Sequence, residues 1–483
     1  MAPGHIIPMI NMAKLLAKHA AVTATIIVTH LHAARFSSTI DQAVQSGLSI
    51  RLLKIRFPTA EAGLPPGCES ADTLPSPDLL PNFAAAINML QHPLEHMLQH
   101  LHPIPSCIIS DKLLTWTAEI CSKLQLARIV FDGMSCFTQV VTQNLYISKI
   151  YQTVSPDEPF VVPGLDDEIE LTRAQLPGLF NPGPKHVPGF RERVRETEGQ
   201  AYGVVVNSFE ELEKRYVEEF KKLRGGRVWC IGPLSLYDLE RERERSRSAS
   251  IDNDRCLKWL DSREEGSVVY ACLGSLSSPS PAQFIELALG LEASNHPFIL
   301  VVRGGARTEE MWRWIWDEGF GERTRERGFL VRDWAPQVAI LCHSGVGAFV
   351  THCGWNSTLE GICGGVPMIT WPLFGEQFLN EKLIVGILEI GVGVGAKGVV
   401  HVGEEEENSN KVMRDGIKEA IERVMGEGNE GFETRKRAGK LGEIAKRSVG
   451  EGGSSCVNVE LLVRDIQNLM EKKKLMQGDL KVL

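Results

Sequence analysis

The sequence predicts an α/β chain of two domains, each built on an open parallel sheet, and three observations carry the prediction. At 483 residues the chain is longer than one ordinary hydrophobic core supports. Short, near-continuous apolar runs rich in β-branched residues alternate with longer amphipathic stretches, the pattern of strands covered on both faces by helices. A polar stretch near the middle interrupts this rhythm, after which it starts again.

In chain order, "PMINMAKLLAKH" (8–19) reads as a helix and "VTATIIVT" (22–29) as the first strand. "CIISD" (107–111), "ARIVF" (127–131) and "GVVVN" (203–207) read as further buried strands, with "TWTAEICSKL" (115–124) as a helix between two of them. "VWCIGPL" (228–234) closes the first half. "ERERERSRSAS" (240–250) alternates charge signs and holds almost nothing apolar, so it reads as a solvated linker and not as a basic recognition arm. Beyond it, "SVVYACLG" (267–274) resumes the strands. "SPAQFIELALGLEAS" follows as a helix, with Ser280 as cap, Pro281 at the first position and Gln283 at the third. "FILVVR", "GFLVRDW", "VGAFVT" and "PMIT" complete the second set. The domains are therefore 1–235, a linker at 236–252, and 253–483 with the C-terminal helices. Ligands of open α/β sheets sit at the carboxyl ends of strands, which makes a cleft between the two halves the expected site.

Composition narrows the function. The formal net charge of −9 argues against a general binder of nucleic acid or anionic membrane. No run reaches the roughly 18 apolar residues that span a bilayer, and the N-terminus has neither a basic segment nor an unbroken apolar one of the secretory kind. Eleven cysteines without C-x-x-C spacing read as thiols in a reducing compartment, and the cytosol is the expected location.

Several motifs compete for a chemical role. Gly393-x-Gly395-x-x-Gly398 has the dinucleotide spacing but opens no helix before about Asn408, so it reads as a strand and turn. Glu404–Glu407 reads as a solvated loop. His92, His96 and His100 share a helical face without an accompanying ligand set, so no metal is expected. His5 stands in a Gly-His-x-x-Pro loop that opens a helix. "THCGWNSTLEG" (351–361) is more pointed: an apolar strand meets a helix start, and Ser357-x-x-Glu360 has capping-box spacing. Capping explains Ser357 and Glu360 but leaves His352, Trp355 and Asn356 without a role. A helix N-terminus at a strand end is where an α/β protein offers amides to an anion.

From Trp334 to Gln377, "WAPQVAILCHSGVGAFVTHCGWNSTLEGICGGVPMITWPLFGEQ" strongly resembles the signature box of plant UDP-sugar-dependent glycosyltransferases. "GHIIPM", "CIISDKLLTWT", "GVVVNSFEELE", "WCIGPL" and "CLGSLSS" stand in the family's order, so the resemblance covers nearly the whole chain. It implies a GT-B fold, two facing Rossmann-like domains, with the nucleotide sugar held by the second. Trp334 would stack on the uracil, and Ala335 and Gln337 would bond to base and ribose. His352, Asn356 and Ser357 would hold the diphosphate, with Ser277 as an addition and Gly354 admitting the backbone. Glu360 would accept from the ribose, while Trp355, Glu376 and Gln377 would contact the sugar. Glutamine at that last position is the family's usual mark for glucose. His5 would take the acceptor's proton and Asp111 would steady the imidazole, so that inversion gives a β-glycoside.

The resemblance further implies UDP-glucose as donor substrate, no metal or other cofactor, a small apolar hydroxylated acceptor of triterpenoid, steroid or flavonoid type, and a monomer. Two departures stand out. Only Met1–Pro3 precede Gly4, where the family carries an apolar strand. "VTATIIVT" and "CIISD" are then expected to lack a shared neighbour, and a non-catalytic or impaired UDP-sugar-binding protein is the alternative reading. The tryptophans Trp312, Trp314 and Trp316 have no family role.

Overall fold

A computed structural model describes residues 2–19, 22–183, 187, 189–238, 251–274, 279–303, 307–401 and 411–479. In the first half the strands are β1 (Ala24–Thr29), β2 (Ile50–Ile55), β3 (Cys107–Asp111), β4 (Ala127–Asp132), a small antiparallel pair β5 (Phe160–Val161) and β6 (Glu170–Leu171), β7 (Gly203–Val206) and β8 (Val228–Cys230). The second half holds β9 (Val268–Cys272), β10 (Phe298–Val302), β11 (Gly328–Arg332), β12 (Val346–Thr351), β13 (Met368–Thr370) and β14 (Gly391–Gly393). Every ladder outside β5–β6 is parallel.

The chain divides into two compact units. One comprises 1–136, 187–237 and 448–483; the other comprises 137–186 and 238–447. The change from one half to the other near 235 thus falls at 237–238, but two segments go elsewhere than the sequence suggests. Val459, Leu462 and Val463, on the helix Ser454–Asp479, enter the same core as Met12, Ile129, Val205 and Trp229. The last helix therefore completes the first unit because its apolar stripe finds a matching face there. Residues 137–186 join the second unit through real bonds, among them Val399 N–H to Ala174 O at 2.8 Å and Thr138 Oγ1 to Asn380 Oδ1 at 3.3 Å.

In the second unit the sheet runs β11-β10-β9-β12-β13-β14, and β12 at its centre is buried at every residue. That is why "VGAFVT" is uniformly apolar up to its final Thr. In the first unit the order is β3-β4-β7-β8, with β1 and β2 forming a separate two-stranded sheet. No described strand joins β1 to β3, and the helix Pro3–Ala17 begins directly after Ala2. This agrees with the expectation that the two strands lack a shared neighbour.

Candidate functional site

The first half-site is built at the carboxyl end of β3. Asp111 closes that strand, and its Oδ1 accepts the Leu113 amide at 2.8 Å, which fixes the carboxylate plane. Its Oδ2 lies 2.7 Å from His5 Nδ1, with the His5 side chain 32% exposed and that of Asp111 2%. Burial alone pushes the Asp111 carboxyl up. The charge and hydrogen bond of His5, the Leu113 amide and the charge of Lys112 more than offset it, so the group stays below the usual carboxylate range. His5 is not in a loop, as the sequence suggests, but in the first turn of the helix Pro3–Ala17. Pro3, not Pro8, takes the opening position that suits a proline.

The second half-site lies where β12 ends. The helix Trp355–Gly364 opens with Gly354 as its N-cap, so Ser357 and Glu360 stand inside it and not at its mouth. The capping box read from the sequence is not formed. Both residues instead turn to Gln337, whose Nε2 donates to Ser357 Oγ at 2.9 Å and to Glu360 Oε2 at 2.7 Å. Tyr270 donates to Gln337 Oε1 at 3.2 Å. Gln337 is thus an organiser of the ribose and phosphate candidates, its carboxamide engaged on both sides. Trp355, the first residue of that helix, is buried.

His352 is pressed between two glycines. A Cβ on Gly274 or on Gly354 would fall 2.5 or 2.4 Å from its Nε2, and Gly274 also has a φ of +87°. Burial drives the His352 pKa down to about 4, and its buried Nδ1 has no hydrogen-bond partner among the described residues. Such an orphaned polar atom beside a helix N-terminus is a reason to look for an anion. Cys353, at φ +63°, makes the turn into the helix, and Asn380 Nδ2 holds its carbonyl at 2.8 Å.

Trp334 is 56% exposed, a wide aromatic face that the protein itself leaves uncovered. Ala335 is buried beside it. At the other end of the box, Gln377 Oε1 accepts the amides of Leu373 and Phe374 at 2.8 and 2.9 Å, while its Nε2 donates to no described residue. Glu376 stands at the N-cap position of the short helix that Gln377 opens, without a side-chain capping bond. Ser277, Glu404–Glu407 and the charged run 240–250 lie outside the described residues.

Tyr270 and Asn380 are the members of this half-site that the sequence reading missed. Asn380 follows Gln377 by one helical turn, which was the available signal; Tyr270 had none, since an aromatic in a buried strand reads as core. Trp314 packs on Phe284 and Phe320, whereas Trp312 and Trp316 stack on each other at 6.0 Å. The His96 and His100 rings lie 4.4 Å apart, tilted by 36°. Gly393 ends β14 and the next described helix begins at Arg414, so the glycine triplet opens none.

The family pattern described as "UDP-glucoronosyl and UDP-glucosyl transferase" matches residues 253–415, which contain this second half-site. UDP-glycosyltransferase 1 of Barbarea vulgaris is 46% identical, across 98% of this chain and 96% of its own. The crystal structure of Glycyrrhiza uralensis UGT73P12, complexed with glycyrrhetinic acid 3-O-monoglucuronide, superposes with a TM-score of 0.90 at 34% identity, covering 99% of this chain and 97% of that one. Phytolacca americana UGT2, complexed with UDP-2fluoro-glucose and pterostilbene, gives 0.72 at 26%, with 97% of each chain covered. The chain belongs to the plant family 1 UDP-glycosyltransferases, enzymes of GT-B fold. Coverage of this extent counts against the alternative of an impaired sugar-binding protein. Among the described residues no helix is long and apolar enough to cross a membrane.

Proposed function

We propose that the chain is an inverting UDP-glucose-dependent O-glucosyltransferase acting on a hydroxyl of a small apolar metabolite of triterpenoid, steroid or flavonoid type. The observation that carries this reading is the His5–Asp111 pair: a half-exposed imidazole held at 2.7 Å by a buried carboxylate. With Nδ1–H donated to Asp111, Nε2 is the nitrogen that accepts the acceptor's proton, and the carboxylate stabilises the imidazolium that forms. The deprotonated oxygen attacks the anomeric carbon, the bond to the UDP oxygen breaks with its electron pair, and the configuration inverts.

For the donor, Trp334 stacks on uracil, and Ala335 beside it meets the base through its backbone. Glu360, held by Gln337, accepts from the ribose. His352, Asn356 and Ser357 hold the diphosphate at the helix N-terminus, where its dipole supplies positive potential without a metal, and Trp355 is a sugar contact. Glu376 and Gln377 take the sugar hydroxyls. Support for glucose comes from Gln377 and from the UDP-2fluoro-glucose complex of the Phytolacca relative. Support for a triterpenoid comes from the glycyrrhetinic acid derivative in the Glycyrrhiza relative. The same reading makes the protein a cytoplasmic monomer with no nucleic-acid partner.

His5→Ala tests the chemistry. Turnover should fall by about 10²–10⁴-fold, the range of general-base catalysis, while calorimetry shows UDP binding unchanged. Comparable turnover in a folded variant would remove His5 from the mechanism. Activity should also persist in EDTA; loss of activity restored by Mg²⁺ or Mn²⁺ would overturn the helix-based account of diphosphate binding.

A further inference from the structure

Beside the dyad lies a charge pair that the reaction above does not use. β3 and β4 pair in register, with Asp111 opposite Phe131, so the next residues along, Lys112 and Asp132, come side by side at the ends of adjacent strands. Lys112 Nζ donates to both Asp132 oxygens, at 3.0 and 3.1 Å, and also lies 3.2 Å from Met134 Sδ. The lysine side chain is 10% exposed and the aspartate 0%. Asp132 Oδ1 accepts the Met134 amide at 3.0 Å, as Asp111 Oδ1 accepts that of Leu113. Lys112 is therefore the middle residue of the turn that holds the Asp111 carboxylate.

A buried ion pair is a poor device for stability alone, because two apolar side chains of similar volume often serve as well or better. What apolar groups cannot provide is a field and a directed anchor. We propose that the Lys112–Asp132 pair positions the Asp111–Leu113 turn and sets the electrostatic surroundings in which His5 takes up its proton. This rests on the reading of His5 as the base. Lys112 is among the charges that keep Asp111 ionised, and Asp132 balances it, so the pair fixes how strong a base the dyad presents.

Other charges face the pair from neighbouring elements. Glu198, on the helix Phe190–Gly199, is raised by burial and next by the charge of Asp132, and it pairs with Arg224. Arg128 stands at the start of β4, and Glu213 accepts the Cys136 amide. Arg128 also feels the charge of Asp111, while Lys112 and Asp132 adjoin the dyad through the chain and through the sheet.

The test is the pH dependence of kcat/KM, with UDP-glucose and a hydroxylated triterpenoid acceptor. Asp132→Asn keeps the side-chain shape and the acceptor for the Met134 amide but leaves the Lys112 cation unbalanced. The acidic limb should move to lower pH by about half a unit or more. Lys112→Met leaves an unbalanced carboxylate, and the limb should move the other way. The double variant, which carries neither charge, should return the limb to its original place with turnover lowered by the looser turn. Opposite shifts are something a purely structural pair does not produce. A limb that stays put, or moves in one direction in both single variants, overturns the proposal even if melting temperature and turnover fall. Where Lys112→Met does not fold, the sign of the shift in Asp132→Asn decides. His5→Ala measured alongside separates the two readings. If it keeps its turnover, the base assignment fails; if it loses turnover while the limb ignores both charge variants, the base stands and the role of the pair falls.

Discussion

Gln337 begins a five-residue helix, yet its carboxamide joins Tyr270 on β9 to Ser357 and Glu360 on another helix. Truncating it leaves a buried hydroxyl and a carboxylate short of a donor, a loss of about 1.5–3 kcal/mol where a charged partner is involved. Gln337→Ala should therefore raise the KM for the donor about tenfold or more, with a smaller effect on kcat, read from initial rates at saturating acceptor. At the sugar end, Gln377→His should lower the use of UDP-glucose relative to UDP-galactose. The substitution removes both the oxygen that orders Leu373 and Phe374 and the amide left for a ligand. An unchanged donor ratio would place sugar selection elsewhere. Two histidines also give the fold a pH dependence. Burial holds His32 and His352 at about 4, below the ordinary 6.5. Between those values the unfolded chain binds protons that the folded chain excludes. Their contribution is thus complete above pH 6.5 and is lost progressively as the pH falls towards 4. Denaturation midpoints should drop from pH 7 to pH 5, less steeply in His32→Asn.

Elements were legible in the sequence where burial is uniform. β12 and β7 lie in sheet interiors and are buried at every residue, so they show no polar alternation, and their spans follow within a residue or so. β2 was missed because Arg51 and Lys54 break its apolar pattern, which a strand with only β1 for a neighbour tolerates. The helix at the N-terminus starts earlier than Pro8 suggests, since Pro3 takes the first position and Pro8 forgoes its own i→i−4 bond. The spacing from Ser280 places Gln283 in a cap. Ser280 does accept the Gln283 amide at 3.3 Å, but the Gln283 side chain holds the Val412 backbone through both of its polar atoms. Spacing cannot tell a short-range partner from a distant one. For the site, the family box names the candidate donor residues, but which of them bond to one another becomes visible only in three dimensions. Burial at the last helix gives a further expectation. Leu462 is fully buried in the first unit's core, and Leu462→Ala should cost about 2–5 kcal/mol, measured by chemical denaturation.

At the scale of the molecule, the two units have separate cores, one around Ile129, Val205 and Leu462 and the other around Ala348, Val350 and Ile369. The described candidate donor residues belong to the second unit and the His5–Asp111 pair to the first. A ligand that binds one folded unit stabilises that unit by mass action, about 2.7 kcal/mol at a hundredfold excess over Kd. UDP should accordingly raise the unfolding transition of the second unit, while Leu462→Ala lowers that of the first. Calorimetric scans of both proteins with and without UDP check this, and a single transition moved equally by both perturbations would contradict it.

The return of the final helix to the first unit also matters during synthesis. Residues 1–136 leave the ribosome early, but the core they belong to needs Val459, Leu462 and Val463. At translation speeds of about 5–20 residues per second, tens of seconds separate those events. Throughout that interval the second unit can complete its sheet, while the apolar faces of Ile129, Phe131 and Trp229 wait without their cover. The nascent chain is then most exposed to aggregation in its oldest part, not its newest. Yield in a foreign host should thus respond to chaperones that hold an N-terminal segment, and to slower growth at low temperature, more than to any ligand of the donor site.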